Sequence, residues 1–294
     1  MKRLILLLIA PIMLFVLGAC EKTETTKGTL TLSMTDAPVD TEGIQGVYIT
    51  VTGVQYNLGG NWITAEEFEG PKTFNLLDLT RGVTEMMGSF ELQAGSYNQI
   101  RFMLDIPEHG QGQVSNPGCY IEFDDQSTEP LFVPSGGQSG YKAVGAFDVP
   151  INGEVMVTAD FDVRKAVVAT GSGKYILKPT IRLVVDNEAG AIRGDVTNIP
   201  ANSKVVIYAY EAGTYTPAEL TPADEETPKF ANAVSSDVVD MLNQYRISFL
   251  AAGKYDLVVS TVNAQDEVVV AGMVTDVTVE SKKTTSVDID MENL

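Results

Sequence analysis

The sequence predicts an all-β chain, built as two antiparallel β-sandwich domains in tandem behind an N-terminal leader. Three observations predict this. Apolar and polar residues alternate with period two over most of the chain from Thr29 onward, helical periodicity is scarce, and Gly, Pro, Asn or Asp occupy most joints between the alternating runs. A strand puts successive side chains on opposite faces, so period-two runs bury one face as strands and cannot do so as helices.

The leader is the first element in order. Met1-Lys2-Arg3 is a short basic start, Leu4 to Leu17 is uncharged and rich in Leu and Ile, and the small residues Gly18-Ala19 precede Cys20. That is the layout of a secretory signal peptide. Its apolar run, about 14 residues, is short of the ~20 that a helix needs to cross a bilayer. Leu17-Gly18-Ala19-Cys20 resembles the lipobox of bacterial lipoproteins, with Gly18 a slight departure from the usual Ala or Ser. The resemblance implies that residues 1–19 are removed and that Cys20 becomes a lipid-bearing first residue, held by several acyl chains where one would bind only marginally. An ordinary secretory signal followed by a chance cysteine is the alternative. Residues 20–27, rich in Thr and charge, read as a solvated tether between lipid and fold. Glu21 and Glu24 are similar to the acidic residues that follow the cysteine in surface-export signals of Bacteroidota lipoproteins.

Removing 19 of 294 residues leaves 275, enough for two domains that each bury a core. The net charge of −19 becomes −21 once Lys2 and Arg3 leave with the leader. Such a surface repels phosphate backbones, which excludes nucleic acid as a partner. Cys20 and Cys119 are the two cysteines, so lipidation of the first leaves no intramolecular disulfide and the fold depends on packing.

In the first domain, residues 28–186, strands are expected over 29–34, 47–51, 74–79, 97–105, 120–123, 143–149, 155–163 and 175–185, with a short helix around 79–87. Along 155–163 the odd-numbered residues would face the core, and Met156, Thr158, Asp160, Asp162 and Arg164 would face water. The polar joint Asp186-Asn187-Glu188-Ala189-Gly190 leads to a second sandwich, residues 190–294, with strands over 191–197, 204–210, 245–250, 254–262, 267–279 and 284–291. Leu92-Gln93-Ala94-Gly95-Ser96-Tyr97 and Leu250-Ala251-Ala252-Gly253-Lys254-Tyr255 repeat one phrase, which suggests a recurrent hairpin.

Several ordered blocks of the first domain carry a resemblance. Gly28-Thr29-Leu30 through Thr35-Asp36-Ala37-Pro38-Val39-Asp40, then 74–79, 94–101, Asp160-Phe161-Asp162 and 175–179 together resemble the bacterial lipoprotein family catalogued as domain of unknown function 4382. Asn75 stands where that family usually has Asp. The second domain is similar to transthyretin-like or carboxypeptidase-regulatory sandwiches. The resemblance implies an envelope lipoprotein of β-sandwich type and transfers no activity.

Few residues offer chemistry. His109 is the single histidine, so a His/Cys zinc site cannot be assembled within the chain, and no Gly-x-Ser-x-Gly elbow occurs. Cys119 has nothing basic near it in sequence to stabilise a thiolate. Carboxylates are abundant, and calcium is one use for them. Asp160 and Asp162 would share a face about 7 Å apart, and Asp36 lies in a Pro-bearing turn whose carbonyls could add ligands. The alternative pairs Asp160 and Asp162 with Arg164 or Lys165 and lets Asp36 cap its own turn. Arg193-Gly194-Asp195, the tripeptide read by some integrins, falls inside a strand and is taken as coincidence. A sugar could stack on Trp62, beside Gly59-Gly60-Asn61, or on Tyr208, Tyr210 and Tyr215; packing in the sheet is the other use of these rings. Tyr215 opens onto the segment 211–229, whose three prolines and acidic run suggest a mobile binding loop.

These observations favour a lipid-anchored cell-envelope protein of the outer membrane, with surface exposure as one of its options, that is no enzyme and uses no cofactor. It would bind a glycan or protein or space a partner from the membrane. A fimbrial subunit is the first alternative and a carboxylate-based hydrolase the second.

Overall fold

The computed structural model describes residues 26–37, 43–106, 118–134, 139–171, 173–224, 227–265 and 267–294. The leader, Cys20, the tether to residue 25, the block residues Pro38 to Asp40, His109, Glu225 and Glu226 lie outside them.

The chain is all-β and sandwich-like. Its first half contains β1 (Lys27–Asp36), β2 (Ile44–Leu58), β3 (Asn61–Thr64), β4 (Lys72–Asn75), β5 (Glu85–Gln93), β6 (Gly95–Leu104), β7 (Cys119–Phe123), β8 (Thr128–Phe132), β9 (Tyr141–Val149), β10 (Glu154–Phe161), the one-turn helix α1 (Val163–Ala166), β11 (Val167–Ala169), β12 (Tyr175–Leu177) and β13 (Ile181–Val185). These strands make one continuous sheet in the order β11-β12-β8-β7-β2-β6-β9-β13-β10-β1-β5, with β3 and β4 also on β2. Leu131 and Leu177 from one end of that order share an apolar cluster with Met87 and Phe90 from the other, so the sheet curls over a single core. Most ladders are antiparallel; β1 with β10, β9 with β13 and β8 with β12 run parallel.

Local chemistry explains the curl. β2 spans 15 residues and carries register shifts at Ile44/Gly46 and Val51/Gly53. Such bulges bend a strand and let it serve β7 along one part and β6 along another. Cys119 opens β7 fully buried, and burial pushes its thiol up to about 12.

Several expectations change in this half. The strand expected over 74–79 ends at Asn75, whose side chain accepts the Leu77 N–H at 3.3 Å and opens a 3-10 turn over Leu76–Asp78. The helix expected around 79–87 is replaced by a turn and the start of β5, because Met87, Phe90 and Leu92 alternate into the core against β1. The second face of β10 is wet only at its start: Met156 is exposed as expected, but Thr158, Asp160 and Asp162 are buried, since β10 sits between β1 and β13 and the C-terminal half lies against the residues that follow it. The repeated Ala-Gly-x-Tyr phrases are not hairpins. β5 pairs with β1 while β6 pairs with β2 and β9, so the phrase turns the chain from one ladder into another, and Tyr97 donates its hydroxyl to the Gln93 carbonyl at 2.6 Å to fix the corner.

The second half contains β14 (Ala189–Thr197), β15 (Lys204–Glu211), β16 (Ser235–Val238), β17 (Gln244–Ala251), β18 (Gly253–Val262), β19 (Val268–Val279), β20 (Thr284–Ser286) and β21 (Ile289–Asp290). One sheet is β17-β14-β20, with β21 also on β14; the other is β16-β15-β18-β19. Ile192, Val196 and Ile247 of the first meet Val205, Ile207, Leu257 and Val259 of the second in a sandwich core. The second phrase makes the same corner here, with Tyr255 donating to the Ala251 carbonyl at 2.9 Å.

The connection from β15 to β16 folds back over the outer face of its sheet. Tyr208 stacks on Phe230 with ring centroids 4.0 Å apart, and Tyr215 meets the edge of Tyr210 at 5.2 Å. Glu219, in a 3-10 turn over Pro217–Leu220, accepts from the Tyr210 hydroxyl at 3.0 Å and from the Asn232 N–H at 2.9 Å. The segment read as a mobile loop therefore closes a small second core, because its aromatic residues have an apolar sheet face to cover. Among the described residues no helix is long and apolar enough to cross a membrane.

Candidate cleft between the two halves

Two cationic clasps join the halves, and both reach the region around β16. At the first, α1 points Arg164 at the Phe230 carbonyl (2.5 Å) and Lys165 at the Ala233 carbonyl (2.6 Å), with the Arg164 guanidinium 5.4 Å from the Tyr208 ring. Behind them lie the three aspartates expected as calcium ligands. Asp160 pairs with Arg182; Asp162 pairs with Arg164 at 3.0 Å and Lys165 at 3.1 Å; Asp36 accepts the Val163 N–H at 3.1 Å. The structure thus brings the three together at one junction, with protein cations on two of them. Burial raises the carboxyl of Asp36 well above its ordinary range, and the neighbouring Asp162 and Asp160 push it further. Burial also raises Asp160, against the pull of Arg182. Among the described residues no group of three or more His, Cys, Asp or Glu is arranged to hold a metal ion.

The aromatic candidates stand in two places. Tyr208 and Tyr210 are buried and Tyr215 half-buried in the small core described above, so their faces are taken by one another and by Phe230. Trp62 is half-buried on β3, and the Arg101 guanidinium lies 4.3 Å over its ring.

The second clasp borders an open cleft of about 700 Å³, lined from both halves of the chain. Arg81 leaves the first half on a turn in which Arg81 and Gly82 both have positive φ, at 59° and 87°. A side chain at Gly82 would come within 2.7 Å of Ser248 Oγ, so glycine there permits the close approach. From this turn Arg81 bonds Asp240 at 2.5 Å, Asp237 at 3.2 Å and the Gln244 carbonyl at 3.1 Å. Asp237 is buried, and although Arg81 pulls the other way, burial raises its carboxyl to about 7.

The cleft floor is the outer face of the β17-β14-β20 sheet. Arg193 on β14 stands directly opposite Arg246 on β17 and beside Ser286 on β20. Arg193-Gly194-Asp195 lies inside a strand, as its flanks imply, yet Arg193 and Asp195 are exposed and both line the cleft. Its glycine has a structural cause, since a Cβ there would sit 1.9 Å from the Val287 carbonyl oxygen. Asp195 accepts from Gln244 Nε2 at 3.0 Å, and its own N–H donates to Asp288 at 3.0 Å. Sequence reasoning missed this site because its parts lie at residues 81, 193–195, 240–246 and 286–288. The one available signal was Arg: the chain has seven, and three of them line this cleft.

Comparison with known proteins adds the following. No curated protein matches the chain. Among solved structures, the chain is similar to the Bacillus anthracis TIE protein (12% identity, TM-score 0.20), covering 90% of this chain and 34% of that one. It is similar to GBS52, a minor pilin of Streptococcus agalactiae (13% identity, TM-score 0.22), over 88% and 94% of the two chains. It is also similar to a putative carbohydrate binding protein of Pseudomonas aeruginosa (18% identity, TM-score 0.22), over 36% and 91%. The family model described as "Domain of unknown function (DUF4382)" matches residues 27–179, more than half of the sequence, and the chain belongs to that family.

Proposed function

We propose that this chain is a non-catalytic binding module of the cell envelope, anchored by lipid on Cys20, and that its ligand seats in the cleft walled by Arg81, Arg193 and Arg246. The carrying observation is that cleft: it draws its walls from both halves, and its floor holds two arginines in opposed register. Anchoring rests on the leader and on Leu17-Gly18-Ala19-Cys20. A catalytic reading has less support. Asp195 and Asp288, the cleft carboxylates outside the Arg81 clasp, are exposed and lack the apolar surroundings from which a general acid is built.

One observation favours the fimbrial alternative. β19 is a 12-residue edge strand, and Val268 to Val274 carries no charge, which leaves a long edge open to another strand. Against it, β20 and β21 already pair with β14 of the same chain and are not free to be donated to another.

Two measurements test the proposal. Cys20→Ser should abolish fatty-acid labelling and release the protein from carbonate-washed membranes; retention of the unlabelled variant rejects the anchor. A glycan-array screen of the purified chain should give a signal that the Arg193→Ala/Arg246→Ala variant loses, and an unchanged signal moves the site out of the cleft.

A further inference from the structure

The cross-strand register of the cleft floor places Arg193 directly opposite Arg246, and both line the cleft. Like charges directly opposite on one face of a sheet disfavour it. In this chain acids outnumber bases by 39 to 20, so a cation has ample choice of carboxylate. Arg164 and Arg182 each take one, and Arg81 takes two. Arg193 makes no ion pair or side-chain hydrogen bond among the described residues, and the guanidinium of Arg246 contacts only the Ser248 hydroxyl, at 3.1 Å. Two unneutralised arginines in the most acidic of settings mark a place where the carboxylate comes from outside.

The groups around the pair narrow the ligand further. A guanidinium fork matches the planar oxygens of a carboxylate. Beside it stand Asp195, Gln244, Ser286 and Asp288, which donate to and accept from hydroxyl groups. We propose that the cleft recognises carboxylate-bearing sugars, with Arg193 and Arg246 holding the carboxylate and the neighbouring Asp, Gln and Ser side chains reading the ring hydroxyls. This inference rests on the cleft being the ligand site. A polyanionic glycan is also the class that an acidic protein repels everywhere else, so the arginine pair supplies selectivity as well as attraction.

The test is calorimetric titration of the full chain in detergent with tri-galacturonic acid, its neutral methyl ester, and inorganic sulfate. The acid should bind at least tenfold more tightly than the ester, and the affinity should fall as sodium chloride is raised. Arg193→Gln and Arg246→Gln should each weaken it tenfold or more, Arg193→Lys should restore part of the loss by returning charge without the fork, and Lys142→Gln, outside the cleft, should change nothing. Equal binding of acid and ester, lost in both Gln variants, keeps the cleft as a sugar site and overturns the acidic-sugar inference. Sulfate binding as tightly as the sugar overturns it too, in favour of a free anion. Acid binding that both Gln variants retain, or no binding of any of the three, overturns the inference and the cleft reading together.

Discussion

Arginine is used in two opposite ways at the boundary between the halves. In the junction of Asp36, Asp160 and Asp162, Arg164, Arg182 and Lys165 lie against the carboxylates, and the aspartates are buried. In the cleft, Arg193 and Arg246 face each other with no carboxylate bridging them. Taking ions out of water costs several kcal/mol each unless they are paired, so Asp160 and Asp162 are matched by cations within the chain, while Asp36, which has none, has its carboxyl pushed toward the neutral form. The exposed set is under no such demand, and its mismatch persists because water screens it. A charged residue type therefore says little about role, whereas the match between charge and burial says a good deal.

The largest test of this contrast is Asp160→Ala. It leaves Arg182 without its carboxylate at a buried junction and should cost about 3 kcal/mol in urea unfolding, with the slope unchanged. Adding Arg182→Met should recover most of the loss; a cost below about 1 kcal/mol for the single variant would mean that the junction is not held by charge.

Next in size is Asp237→Asn, which sits where the two uses meet. The folded-state value, about 7, lies above the ordinary 3.8, so the folded chain holds this proton more tightly. The contribution of Asp237 to stability is therefore fully present below about pH 4 and is lost as pH rises through 7. The asparagine variant should escape that decline and gain on the order of 3 kcal/mol relative to wild type between pH 4 and pH 8. Parallel pH profiles for the two proteins would place the charge of Asp237 elsewhere.

The smallest effect is expected in the cleft. Arg193→Gln removes one of two opposed charges and should stabilise the fold by about 0.2 to 1 kcal/mol. Destabilisation would reveal a structural partner for Arg193, and the two arginine sets would no longer contrast.

The legibility of the fold follows the same division between local and distant causes. Strands closed off by Gly, Pro or Asn, such as 143–149 before Pro150 and 254–262 between Gly253 and Asn263, are readable along the chain, and β9 and β18 match them closely. β5 was misread because its first residues follow a turn and mimic a helical spacing, and only pairing with β1 decides the matter. The Ala-Gly-x-Tyr phrase was legible as a repeat, but nothing local says whether its flanking strands pair with each other or with different partners. Tyr208 and Tyr210 were placed correctly on one face of one strand, yet their cover comes from Phe230, some twenty residues on. The cleft was least legible of all, since a face made by three strands and a turn from the other half has no signature along the chain.

Cys119 gives the molecule an internal clock. A thiol that is fully buried and held near 12 reacts only when β7 parts from its neighbours. If Cys20 carries lipid as proposed, no other sulfhydryl would compete for a reagent. Labelling kinetics in native buffer would then time the opening of the first half alone, while the second half, which has no cysteine, stays silent. Any ligand that seats between the halves would slow that clock without touching the thiol, so occupancy could be read from the far side of the protein.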